Sequence, residues 1–255
     1  MSATNVELVM FMRSHFNEKA RWALDWKRVP HLRRPLLPGP HARTVKRLTG
    51  QTMVPVLILD GTPIAGSDRI IDELERRHPD PPLYPADPGE RTRALEIQRY
   101  FDDEVGPKVR RALFSVLLDQ PAYLAALFAS HKSTPARMLY QASFPLVKGV
   151  MTRSMQIHEP HVSEAFEATR EAFEFVAKTA GASGYLVGDR FSVADLAAAA
   201  LLAPAVDVPH PDMKKPHPRP EAVQGWLARW ADHPAATWVL ATYERHRPPS
   251  QVGNA

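Results

Sequence analysis

The chain has 255 residues, 44% of them hydrophobic and 24% charged, with no cysteine and a formal net charge of +4. That composition excludes a largely disordered protein, a disulfide-stapled scaffold, a cysteine nucleophile and any thiolate metal site. Residues 1–77 hold 13 Lys/Arg against 8 Asp/Glu, so the N-terminal third carries +5 and the remainder −1. An anionic ligand suits such a region, but the basic residues are too interleaved with acids to mark a nucleic-acid surface. The longest apolar runs fall well short of the ~20 residues that span a bilayer. Met1 to Glu7 lacks the pattern of a signal peptide, so a cytoplasmic protein is expected.

Residues 6–12 form a short apolar run of strand character. Phe16, Ala20, Ala23, Leu24 and Lys27 then recur at helical spacing, with Ser14 in capping position and Pro30 as the stop. Residues 31–37 read as a second strand and 42–48 as a short basic helix closed by Gly50. Residues 54–59 and 62–65 are two strands around Asp60-Gly61, a strong hairpin signal. Ser67 reads as the cap of a helix running to His78, with Ile70, Ile71 and Leu74 inward. The order β-α-β-α-β-β-α predicts a compact α/β unit with a small mixed sheet.

Proline is in excess, at 25 residues. Pro79, Pro81, Pro82, Pro85 and Pro88 form one cluster, read as an interdomain joint; a second runs from Pro204 to Pro220. Beyond the joint the pattern is helical: 91–118 with a bend at Pro107, 122–130, 135–155, a long amphipathic helix around Val162 to Val176, and the nearly all-apolar 192–203. Segments 220–231 and 235–245 close the set, and a mobile tail is expected from Pro248 onward. The expected division is a domain at 1–78, a linker at 79–88, an all-helical domain at 89–247 and a tail at 248–255.

Four local features carry chemical meaning. Ser14 stands at a strand-to-helix turn, where free N–H groups and the helix dipole favour an anion. Spacing alone reads it as a cap; its hydroxyl is also placed to donate to a thiolate. Pro55, at the start of a strand, fits either an edge strand or a cis peptide that turns the Val54 backbone toward an extended ligand. Ser67 opens a second helix end that suits an anion, or serves structure alone. Ser192 and Asp195 make a capping box, which is structural.

Together these motifs, with Glu18-Lys19-Ala20-Arg21-Trp22-Ala23-Leu24, resemble the cytosolic glutathione S-transferases, in particular a bacterial, serine-type-like branch. The resemblance covers roughly residues 6–246 and is weakest from 119 to 160. It implies an N-terminal thioredoxin-like domain followed by an all-helical C-terminal domain. It implies glutathione as co-substrate, no metal, a small hydrophobic electrophile as partner, and a homodimer formed through the helix at Ser67 and the helix at 91–118. Ser14 takes the activating position, with Asn17 beside it where relatives often have cysteine. Val54 is implied to pair with the cysteinyl backbone, the cis Pro55 to hold the turn, and Ser67 to bind the γ-glutamyl carboxylate. His15 neighbours the thiol and is expected to be solvated. Gly66 stands where the family has Glu or Gln, a missing contact for which Asp68 is the available substitute.

Without cysteine, disulfide exchange through an enzyme thiol is excluded. The alternatives are a ligandin-like binder of apolar or tetrapyrrole ligands and a pure dimerisation scaffold. Residues 119–160, rich in Tyr123, Leu127, Phe128, Met138, Leu139, Tyr140, Phe144, Met151 and Met155, fit either a packed helix pair or an adaptable lid. His131, His158, His161, His210 and His217 are expected at the surface, without metal spacing.

Overall fold

A computed structural model describes residues 6–252. The first five residues, and with them most of the Met1 to Glu7 stretch, lie outside it. Strand β1 (Val6–Phe11) leads into helix α1 (His15–Trp26), β2 (Leu32–Leu36), α2 (His41–Thr49), the hairpin β3 (Val56–Leu59) and β4 (Thr62–Ala65), and α3 (Ser67–Arg77). The sheet order is β2-β1-β3-β4, with β1 and β2 parallel and the other pairs antiparallel. Alternation along β1 divides the core. Val6, Leu8 and Met10 join Trp22, Ile70 and Ile71 of α1 and α3, while Val9 faces Val45 of α2. At the hairpin, Asp60 and Gly61 both have positive φ, 51° and 81°, as a primed two-residue turn requires.

Among the described residues the second domain is wholly helical: α4 (Pro88–Tyr100), α5 (Gly106–Leu117), α6 (Pro121–Phe128), α7 (Thr134–Ala142), α8 (Phe144–Ser154), α9 (His161–Thr179), α10 (Val193–Leu202), α11 (Glu221–Ala231) and α12 (Pro234–His246). Every residue of α10 is buried. Its start is fixed by the expected box: the Asp195 carboxylate accepts from the Ser192 N–H at 2.9 Å and the Leu186 N–H at 2.8 Å. The carbonyl of Leu83, in the proline joint, accepts from Val193 N–H at 2.8 Å, which ties the joint to the same helix start.

Several boundaries differ from the sequence expectations. The long helix begins at Pro88, where Asp87 caps it and proline needs no N–H partner. It is interrupted by a π-turn at Phe101–Val105 just before Pro107. Gly106 follows that turn because Phe16 packs against it; a Cβ there would lie 2.7 Å from the Phe16 ring. The single helix expected over 135–155 is two, broken at Ser143 ahead of Pro145. Gly66 (φ 100°), not Ser67, is the cap residue of α3; its carbonyl accepts from Ile70 N–H.

The tail is not free as far as Val252. The Gln251 N–H donates to Asp25 at 2.6 Å, and His31 N–H donates to the Gln251 carbonyl at 3.2 Å. Residues 253–255 lie outside the described part. Arg247 explains the docking. Its guanidinium, wholly buried, reaches Glu18, Asp25 and Asp212, each at 2.8 Å. Arg21 also pairs with Glu18 at 2.9 Å, and Arg33 with Asp212 at 2.6 Å. Three guanidiniums and three carboxylates thus close a buried network between α1 and the C-terminal segment. That accounts for Glu18 and Arg21 of the Glu18 to Leu24 motif as structure; Lys19 pairs instead with Asp102.

Candidate functional site

A cleft of about 1590 Å³ opens between the two domains. A single small-ligand pocket takes ~300–1,000 Å³, so the cleft has room for two ligands. Ser14, His15, Val54, Pro55, Ser67 and Asp68 all line it. These six, scattered over 55 residues of sequence, meet because β1, the start of β3 and the start of α3 end at the same edge of the sheet.

Ser14 holds the N-cap position of α1, with extended backbone (φ −87°, ψ 132°), yet its side chain makes no capping hydrogen bond. Its carbonyl accepts from Glu18 N–H at 2.7 Å. The cap reading of its hydroxyl therefore gives way: the backbone starts the helix, and the residue lines the cleft with its hydroxyl uncommitted to the cap. The first amides of α1 have no intrahelical acceptor and add positive potential at the same point.

The Val54-Pro55 peptide is cis. The β3 ladder begins at Val56, so the Val54 backbone stands outside it beside the cleft. The Pro55 carbonyl accepts from Gly66 N–H at 3.1 Å, which holds this turn against the start of α3. Ser67 is buried in the first turn of α3 and borders the cleft. A Cβ at Gly66 would lie 2.6 Å from Asp68 Oδ1. The Asp68 carboxylate thus fills the space a side chain at position 66 would occupy.

Two site expectations need correction. His15 is not solvated. It is 5% exposed and donates from Nε2 to the Gly106 carbonyl at 3.0 Å. Burial, with Arg110 beside it, pushes its imidazole down to about 3, so it is neutral near pH 7 and ties α1 to the π-turn. Asn17 is fully buried and does not line the cleft; neither amide atom has a hydrogen-bond partner among the described residues. Among the histidines expected at the surface, His131 and His210 are half-buried, and burial pushes both down.

Sequence reasoning missed several lining residues. Arg13, in the left-handed region at φ 54°, donates to the Lys214 carbonyl at 2.8 Å and to the Leu127 carbonyl and Ser130 Oγ at 3.1 and 3.0 Å. Arg110 and Lys215 line the cleft, as does Tyr123 from the segment read as a packed pair or a lid. Asp72 of α3 and Asp102 and Asp103 of the π-turn line it too. Of these, Asp102 is paired with Lys19. Helix α8 contributes Leu146, Val147, Val150 and Met151, and Tyr140 of α7 donates to the Pro38 carbonyl at 3.3 Å. The 119–160 segment therefore both packs as a helix pair and roofs the cleft.

Residues 8–82 match the glutathione S-transferase N-terminal domain, and residues 159–229 match the glutathione S-transferase C-terminal domain. The chain belongs to the glutathione S-transferase family. Over 131 residues it is 30% identical to a probable maleylacetoacetate isomerase of Caenorhabditis elegans, a match that takes in 51% of this chain and 61% of that protein. The chain thus spans less than two thirds of that relative's length. Among solved structures it is similar to a glutathione S-transferase of Methylobacterium radiotolerans in complex with glutathione sulfonate. There the TM-score is 0.55 and the identity 22%, over 99% of each chain. A glutathione S-transferase of Methylobacillus flagellatus with glutathione bound superposes at a TM-score of 0.63, with 16% identity over 94% of this chain and 95% of that one. Both likenesses concern the fold. Among the described residues no three His, Asp or Glu side chains converge as a metal site, and no helix is long and apolar enough to cross a membrane.

Proposed function

We propose that the chain is a glutathione-dependent transferase in which Ser14 activates the thiol. The carrying observation is Ser14, its hydroxyl free of any capping bond, on the wall of the cleft that Val54, Pro55 and Ser67 also line. Glutathione lies extended across the α/β domain. Its cysteinyl backbone pairs with Val54, its γ-glutamyl carboxylate meets Ser67 and the start of α3, and its ammonium meets Asp68. The thiol proton leaves to solvent. The remaining thiolate accepts a hydrogen bond from Ser14 in the field of α1, which raises the nucleophilic fraction at neutral pH. It attacks an electrophilic carbon held toward the helical domain. A carbon–sulfur bond forms, and the leaving group departs with its bonding pair. No covalent bond to the enzyme forms.

Retention on immobilised glutathione, followed by conjugation of 1-chloro-2,4-dinitrobenzene, tests the reading. Ser14→Ala is expected to lower the conjugation rate by about 10²-fold, the typical worth of one donor to a reacting anion. An unchanged rate removes Ser14 from the mechanism. A protein that ignores glutathione but alters a haem spectrum is instead a carrier. We further propose, on the family resemblance, a homodimer through the faces of α3, α4 and α5. Sedimentation as a single-chain species alone would overturn that.

A further inference from the structure

The cleft also carries three cations that make no ion pair with a carboxylate among the described residues. Lys215 is 8% exposed, and its Nζ donates to the carbonyls of Ala203 and Val206 at 3.2 and 2.5 Å, leaving a third N–H. Arg13 spends Nε and Nη1 on backbone and a serine, and its Nη2 meets no acceptor among the described residues. Arg110 makes no hydrogen bond there at all; its guanidinium sits 6.0 Å from the Phe16 ring centroid. None of the three has a carboxylate within ion-pair distance among the described residues. The nearby acids are engaged: Asp207 with Arg219 at 2.7 Å, and Asp212 with Arg33 and Arg247.

Tyr123 completes the set. It is 7% exposed, lines the cleft, and its hydroxyl is buried without a partner among the described residues. A hydroxyl left so is destabilising unless something accepts from it. Hydrogen bonds tie Arg13 to the segments that carry Tyr123 and Lys215. Arg13 grips the backbone of α6, where Tyr123 lies one turn from Leu127, and the backbone beside Lys215. Apolar Leu113, Phe114, Leu127 and Met213 surround them. Uncompensated cations and an unpartnered donor in an apolar setting describe a site awaiting an anion.

We infer that the second substrate is an anionic electrophile, an apolar body bearing a carboxylate that Lys215 and Arg13 neutralise and to which the Tyr123 hydroxyl donates. This rests on the transferase reading for the reaction, but not for the binding. In the test case, 4-chloro-3,5-dinitrobenzoate, the thiolate forms the carbon–sulfur bond at C4 and chloride leaves. The benzoate carboxylate takes no part in that step and serves only to hold the ring.

The experiment compares 4-chloro-3,5-dinitrobenzoate with its methyl ester, each kcat/KM divided by the uncatalysed rate with glutathione. The wild type is expected to favour the acid by about tenfold or more, as one charge-assisted hydrogen bond provides. Tyr123→Phe, which keeps the ring and loses no structural bond, is expected to remove several-fold of that preference, chiefly through the KM for the acid. Lys215→Met removes more. Because Lys215 also satisfies two carbonyls, its melting temperature is read alongside. Equal use of acid and ester, or an equal loss on both in Tyr123→Phe, overturns the inference. Calorimetry with unreactive 3,5-dinitrobenzoate and its methyl ester separates the two readings. Acid-selective binding weakened by Tyr123→Phe, without turnover of either electrophile, sustains the anion site and sinks the transferase. Absence of acid-selective binding sinks the anion site whatever the turnover.

Discussion

The network around Arg247 and the cluster around Lys215 are built from the same kinds of side chain, but one is closed and the other open. In the first, Arg21, Arg33 and Arg247 meet Glu18, Asp25 and Asp212, so that no net charge remains. In the second, Arg13, Arg110 and Lys215 meet carbonyls, a serine hydroxyl and a ring face, but no carboxylate within ion-pair distance among the described residues. A buried charge is tolerated when its neutralising partner is supplied. The closed network takes that partner from the chain and fastens the C-terminal segment to α1. The open cluster leaves the role to a ligand. Basic residues in a sequence therefore do not by themselves distinguish fastening from binding; the count of acids within reach does.

The largest expected effect comes from opening the closed network. Arg247→Leu leaves Glu18, Asp25 and Asp212 short of one cation in a buried setting. It should cost about 3–5 kcal/mol in urea unfolding, the usual penalty for a buried charge that loses its partner. A loss below about 1 kcal/mol would mean that water reaches the network. Acid should act in the same direction. Burial pushes Asp212 up, but Arg21, Arg33 and Arg247 outweigh it and bring the carboxyl down to about 2. Its folded pKa lies below the ordinary value of 3.8, so its contribution is present above that value and lost as pH falls toward 2. Stability measured from neutral pH downward should fall through this window in the wild type and more gently in Asp212→Asn.

Ser14→Ala comes next and separates chemistry from capping. A lost cap would cost about 1 kcal/mol of stability. Because the Ser14 side chain caps nothing, unfolding should be unchanged while conjugation falls by about 10²-fold. Asn17→Ala should leave conjugation unchanged, since Asn17 lies in the core and off the cleft.

Much of the fold was legible in the sequence, because hydrophobic periodicity and turn residues are local. The Asp60-Gly61 hairpin, the Ser192–Asp195 box and the inward set Ile70, Ile71 and Leu74 are where their neighbours in sequence put them. The site was legible where it consists of helix and strand starts. It was illegible where it depends on partners far along the chain. His15 reads as a turn histidine until Gly106 is brought to it, 91 residues away. Arg13 reads as an ordinary basic residue until Leu127 and Lys214 fix its direction. Arg247 and Lys215 look alike in sequence, and only the tertiary arrangement shows that one has three acids and the other none.

The smallest expected effect sharpens the open half of the comparison, and it follows from Lys215 alone. Burial pushes the Lys215 ammonium down to about 8, helped by Arg219 and opposed by Asp207. Among the other groups at this end of the cleft, Tyr123 is pushed up to about 12 by burial and stays a donor across the neutral range. Arg13, lowered by burial, keeps its charge there as an arginine does. The preference for an acid over its ester should then hold steady below about pH 7 and decline severalfold as pH rises through 8, because the ammonium that the carboxylate faces is lost. Ionisation of the glutathione thiol rises over the same range but accelerates both electrophiles alike, so it cancels in the ratio. In Lys215→Met the ratio should be flat with pH. A decline that persists in that variant would assign the titration to another group and return Lys215 to a purely structural hold on the Ala203 and Val206 carbonyls.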